Sequence, residues 1–178
     1  GFSGSGSLTI EAWIVADASG GGTIYDEDGP AWTVDGERQA PFVSTTGNNI
    51  IFGGVAGLFS TLTSSGASVR DGSPHHVVCV RDATTIYIYI DGVLRGSQAN
   101  TENTIVQGVS AIGASTVAAT PGLFTGTIDE VVLYDSAMSA ADVPAHYNAG
   151  AVPWDANTPA ARLANLAGGV TTMKREYG

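Results

Sequence analysis

The segment His75–Gly92, HHVVCVRDATTIYIYIDG, constrains the fold more than any other part of the chain. Ile86, Ile88 and Ile90 alternate with Tyr87 and Tyr89, a period of two that puts the isoleucines on one face of a strand. A strand of this kind cannot be rewound as a helix without scattering its apolar residues around the axis. The Val-rich run before it forms a second strand, and Asp82-Ala83-Thr84 turns one into the other. Asp91-Gly92 ends the pair with a hairpin turn signal, since both residues tolerate positive φ. Two paired strands are marginal alone, so the rest of the chain must supply more sheet.

It does so in short pieces. Strand patterns are read at Leu8–Val15, Thr23–Tyr25, Ala31–Val34, Pro41–Thr45, Asn49–Gly53, Leu58–Thr63, Ala67–Val69, Val93–Gly96, Ser110–Gly113 and Phe124–Tyr134. Gly, Asn, Asp and Ser bound nearly all of them, and 24 glycines in 178 residues fit many turns. Asp17–Gly22 reads as a loop. In Phe124–Tyr134 the apolar Ile128, Val131, Val132 and Leu133 break strict alternation, which predicts a bulge or burial on both faces. The inventory predicts an all-β, two-sheet antiparallel sandwich with short C-terminal helices.

Ser139 with Asp142 three residues later marks a helix start, and Gly150 marks its stop. Residues 1–150 therefore form one domain. Residues 151–178 read as a linker at Pro153-Trp154-Asp155, a short helix, PAARLANLA, begun by Thr158 and Pro159, and a tail. That extension is expected to pack on another chain or copy. The start GFSGSGSLTIEAWI enters a strand almost at once, so the chain reads as a piece of a longer polypeptide.

Three stretches, SLTIEAWI, SPHHVVCVRDATTIYIYIDGVLRGS and FTGTIDEVVLYDSAMSAADVPAHYNAG, resemble laminin-G-like members of the concanavalin A-like jelly-roll superfamily. The resemblance covers residues 7 to 150 and implies a jelly roll, a fold that hosts binding modules, enzymes and structural domains alike. There are two departures. Pro74 stands where the family usually has Trp, and the one or two strands that commonly precede SLTIEAWI are absent. The resemblance also implies a cation: in several such domains the Asp matching Asp129 gives oxygens to Ca²⁺ together with N-terminal loop carbonyls, so Asp129 is the expected metal ligand.

The chemistry that the residues themselves offer is limited. The related glucanases carry Glu-x-Asp-x-x-Glu on a strand, and no such string occurs here. Catalysis is not expected. Adjacent His75 and His76 point to opposite faces and cannot share a metal, and Cys79 reads as a small core residue. For sugar recognition, Tyr25, Asp26, Asp28 and Trp32 gather around one loop, with Asn48 and Asn49 in another, so these six are the expected ligand residues. Seventeen acidic against seven basic residues give a net charge of −10, which argues against nucleic acid and anionic membrane surfaces as partners. No run is long enough to insert in a membrane. The expected role is a carbohydrate-binding or adhesion module, extracellular, on a cell surface or on a virion. The competing role is a structural part of an assembly such as a phage tail, self-associating through residues 151–178.

Overall fold

The computed structural model describes residues 6–28, 41–54, 60–100, 109–115 and 122–151. Trp32, the expected strand Ala31–Val34 and the expected second helix lie outside these residues, as does the tail.

Among the described residues, ten strands and one helix follow in order: β1 (Leu8–Gly21), β2 (Thr23–Asp28), β3 (Phe42–Thr46), β4 (Asn49–Gly53), β5 (Leu62–Thr63), β6 (Pro74–Arg81), β7 (Thr85–Ile90), β8 (Val93–Ala99), β9 (Val109–Ile112), β10 (Thr125–Tyr134) and α1 (Asp142–Gly150). They make two five-stranded antiparallel sheets, ordered β10-β1-β6-β7-β8 and β5-β4-β3-β2-β9. The core lies between them. Leu8, Ile10, Ala12 and Ile14 of β1 join Val77, Cys79, Ile86, Ile88 and Ile90 from one sheet, against Ile24, Val43, Ile50 and Phe52 from the other. Each such side chain removed from water contributes roughly 1.5–3 kcal/mol before the entropy of ordering the chain is subtracted.

The first sheet is also covered on its outer side. Val78, Val80 and Tyr89 form a second cluster with Val143 of α1, packed by Tyr87, Ala137 and Met138. This explains why β6 carries a nearly continuous apolar run and is buried from His75 to Arg81. Thr9 ties the covering segment down: its hydroxyl donates to the Ser136 carbonyl at 2.8 Å and accepts the Met138 N–H at 2.8 Å.

Several expectations change. Leu8–Val15 is right but short, because the strand runs on through the expected loop to Gly21, pairing there with Thr125. Ala67–Val69 is not a strand; Val69 is nevertheless fully buried, its N–H bonded to the Asn48 carbonyl. The broken alternation of β10 is a bulge. Glu11 pairs with Val132 and Trp13 with Asp129, so β10 carries one extra residue, and Glu130 takes φ +49° to accommodate it. Burial on both faces is not the cause, since Val132 and Leu133 are exposed. The helix begins at Asp142 rather than Ser139, but Ser139 still organises the start, its carbonyl and hydroxyl both accepting the Asp142 N–H.

Gly126 lies at φ +143°, and a Cβ there would collide with the Val15 carbonyl oxygen. Gly126→Ala is expected to lower stability by about 1–3 kcal/mol, read as a fall in the denaturant midpoint with unchanged slope.

Candidate functional site

The outer face of the first sheet carries the polar side chains that the core excludes. Alternation along β1 sends Thr9, Glu11 and Trp13 outward while Leu8, Ile10, Ala12 and Ile14 turn in. Pairing sets His76 opposite Trp13 and Val78 opposite Glu11. Helix α1 then crosses above them.

Glu11 is the meeting point. Its Oε1 lies 2.7 Å from His76 Nε2, and its Oε2 accepts the Tyr134 hydroxyl at 2.9 Å. His146 Nδ1 of α1 lies 3.1 Å from both oxygens. A carboxylate only accepts, so His76 Nε2 and His146 Nδ1 are the protonated nitrogens here. Burial alone would raise the Glu11 pKa, but hydrogen bonds from His76 and Tyr134 and the nearby His146 hold it below the usual range. Burial, with the Glu11 charge, pushes Tyr134 up to about 12. His146 and Glu11 are 135 residues apart in the chain, and only the fold joins them.

The paired histidines do diverge. His75 sits between two carboxylates, with Nδ1 2.8 Å from Asp91 Oδ2 and Nε2 3.1 Å from Asp71 Oδ1. Asp91 Oδ1 also accepts the His76 N–H at 2.9 Å. These bonds brace the β7–β8 turn, where Asp91 and Gly92 take φ +55° and +76°. A Cβ on Gly92 would meet Pro144 and Tyr147 at 3.3 Å, so the turn is the seat of α1.

Beside this seat opens a groove of about 520 Å³ between β1, the bulge of β10 and the end of α1. Trp13 and Tyr147 form one wall, their rings stacked at 5.8 Å and 20°. Thr127, Asp129 and Glu130 form the other, and Gly150 and Ala151 close the helix end. His76 braces the Trp13 ring from 5.1 Å. Gly150 presses on its edge: a Cβ there would lie 2.5 Å from Trp13 Nε1. A half-exposed aromatic wall facing hydroxyl and carboxylate groups suits a ligand with one apolar face and several hydroxyls.

The expected ligand residues are placed otherwise. Tyr25 is 1% exposed, its hydroxyl donating to Glu27 Oε2 at 2.8 Å, so its ring belongs to the core rather than to a surface platform. Asp26 is fully buried and accepts the Ser115 hydroxyl at 3.0 Å. Asp28 ends β2, paired with Val109. Asn48 is exposed in the β3–β4 turn, and Asn49 pairs with Thr46. Asp129 is exposed in the groove, its Oδ1 accepting the Glu130 N–H at 2.8 Å. Among the described residues no group of three or more His, Cys, Asp or Glu side chains is arranged so that it could hold a metal ion. The residues that sequence reading missed are Trp13 and Tyr147, whose chain separation hides their stacking.

Fold and groove together define a jelly-roll domain of the concanavalin A type. The chain belongs to the laminin-G family Laminin_G_3 of the concanavalin A-like lectin/glucanases superfamily, whose family model matches residues 1–144. No curated protein matches it. Among solved structures it resembles the receptor-binding domain of botulinum neurotoxin type G, with a TM-score of 0.57 and 14% identity over 80% of this chain and 38% of that one. The binding domain of Paraclostridial Mosquitocidal Protein 1 gives 0.54 and 13%, over 82% and 38%. The binding domain of botulinum neurotoxin DC in complex with SialylT gives 0.56 and 14%, over 81% and 35%. The chain thus spans under two-fifths of these structures, and at such identities the likeness is one of fold. No helix among the described residues is long and apolar enough to cross a membrane.

Two outcomes follow from the polar face. Glu11→Gln puts an amide NH₂ against one of three donors and removes the charge, so stability is expected to drop by about 2–3 kcal/mol in denaturant unfolding. The hydrogen bond to Asp91, opposed by burial and helped by Asp71, raises the His75 pKa above 6.5. A raised pKa stabilises fully below the unfolded value and is lost as pH rises through the folded one. The melting temperature is therefore expected to fall as pH climbs above 6.5, and His75→Gln should flatten that slope.

Proposed function

We propose that this chain is a non-catalytic carbohydrate-binding module that works outside the cell or on a surface, with its sugar site in the groove beside α1. The observation that carries the reading is the Trp13–Tyr147 wall facing Thr127, Asp129 and Glu130. Pyranose rings present a C–H face that stacks on aromatic rings and equatorial hydroxyls that donate to carboxylates. The groove offers both, and its floor is held by strands rather than by loops, so little ordering is required on binding. Family membership supports the reading, since the superfamily includes lectins. So do two structures of similar fold: botulinum neurotoxin type C, whose cell entry depends on two ganglioside molecules, and the neurotoxin DC domain with SialylT. The lack of a Glu-x-Asp-x-x-Glu string supports binding without hydrolysis.

A glycan array with the isolated chain tests this directly; silence across all neutral, amino and acidic classes would sink it. Once a ligand is found, Tyr147→Ala is expected to weaken it about fivefold, the loss of roughly 1 kcal/mol of stacking, in titration calorimetry. Tyr147 is only half-buried, so far-UV circular dichroism should remain unchanged.

A further inference from the structure

The charges around the groove are all of one sign. Asp129 and Glu130 are both exposed in its wall, and no Lys, Arg or His is among the described residues that line it. The third contribution comes from the backbone. Gly150 and Ala151 place the C-terminal end of α1 at the groove, where a helix carries partial negative charge, and the last turn holds no basic residue to offset it. The chain as a whole carries −10. Glu130 is held there by the bulge at φ +49°, a conformation that a residue other than glycine seldom adopts. The two aromatic rings add their negative faces, which attract cations as well as C–H groups. A carboxylated sugar would meet repulsion from Asp129, Glu130 and the helix end, and a neutral one would use the carboxylates only as hydrogen-bond acceptors.

We propose that the groove selects a glycan bearing a free amine, with the ammonium between Asp129, Glu130 and the carbonyl end of α1, and the pyranose against Trp13 and Tyr147. The proposal rests on the carbohydrate reading above and adds the chemical class of the sugar. Acetylation of the amine removes the charge and leaves the ring in place, which makes a matched pair of probes. Glucosamine tetramer is the cationic probe, N-acetylglucosamine tetramer the neutral one, and a sialylated trisaccharide the anionic one.

Titration calorimetry of the intact chain at low salt is expected to show the amine form binding at least about fivefold tighter than the acetylated form, with the sialylated sugar weakest. The preference should shrink toward unity in about 0.5 M salt. It should shrink likewise in Asp129→Asn/Glu130→Gln, which keeps the Asp129 acceptor for the Glu130 N–H. That variant still carries a large negative net charge, so a preference that persists in it reflects unspecific attraction and overturns the proposal. Equal affinity for the amine and acetylated forms, or tighter binding of the sialylated sugar, overturns it too and leaves the carbohydrate reading intact. If no sugar of any class binds, both fall together.

Discussion

One buried carboxylate decides how the outer half of this molecule is assembled. Glu11 takes hydrogen bonds from side chains of β6, β10 and α1. Its position follows from the period-two pattern of β1, which must send Glu11 outward if Ile10 and Ala12 are to reach the core. An ionised carboxylate in such a place is costly unless its oxygens are satisfied. Three donors satisfy it, and in doing so they fix the helix over the sheet. The groove exists because the helix is fixed there.

A second polar pair braces the seat of the same helix. His75 and Asp91 brace the β7–β8 turn, and Gly92 of that turn leaves room for Pro144 and Tyr147. The carboxylates and the histidine respond to pH in opposite senses. Glu11 and Asp91, with lowered pKa values, stabilise the fold above the usual carboxylate range, whereas His75 stabilises it below about neutral pH. The fold is therefore best held in the mildly acidic interval between them.

What the sequence disclosed and what it concealed divide along chain separation. The β7 strand was legible to the residue, because Ile86, Ile88 and Ile90 repeat with a period that only a strand satisfies. The bulge of β10 was legible as a break in alternation, one of two explanations offered. The end of β1 was not: Asp17–Gly22 has loop composition, and pairing with Gly126 and Thr125 of β10 overrides it. Local composition also ended the strand at Tyr25 and put Asp26 in a loop, whereas both belong to β2 inside the second sheet. Trp13 with Tyr147, and Glu11 with His146, are contacts across more than 130 residues, and no local pattern encodes them.

The missing side chain at Gly150 has an effect on how the groove can vary. With nothing on that carbon, α1 seats its last turn against the Trp13 ring, which His76 and Tyr147 also confine. A Cβ at position 150 would press on that ring, so any residue larger than glycine there would force the ring or the helix end to shift. The aromatic wall is thus locked to the fold, while the bulge facing it answers to only two strands. Substitutions at Asp129 and Glu130 would therefore change the charge of the groove while leaving the Trp13–Tyr147 wall seated.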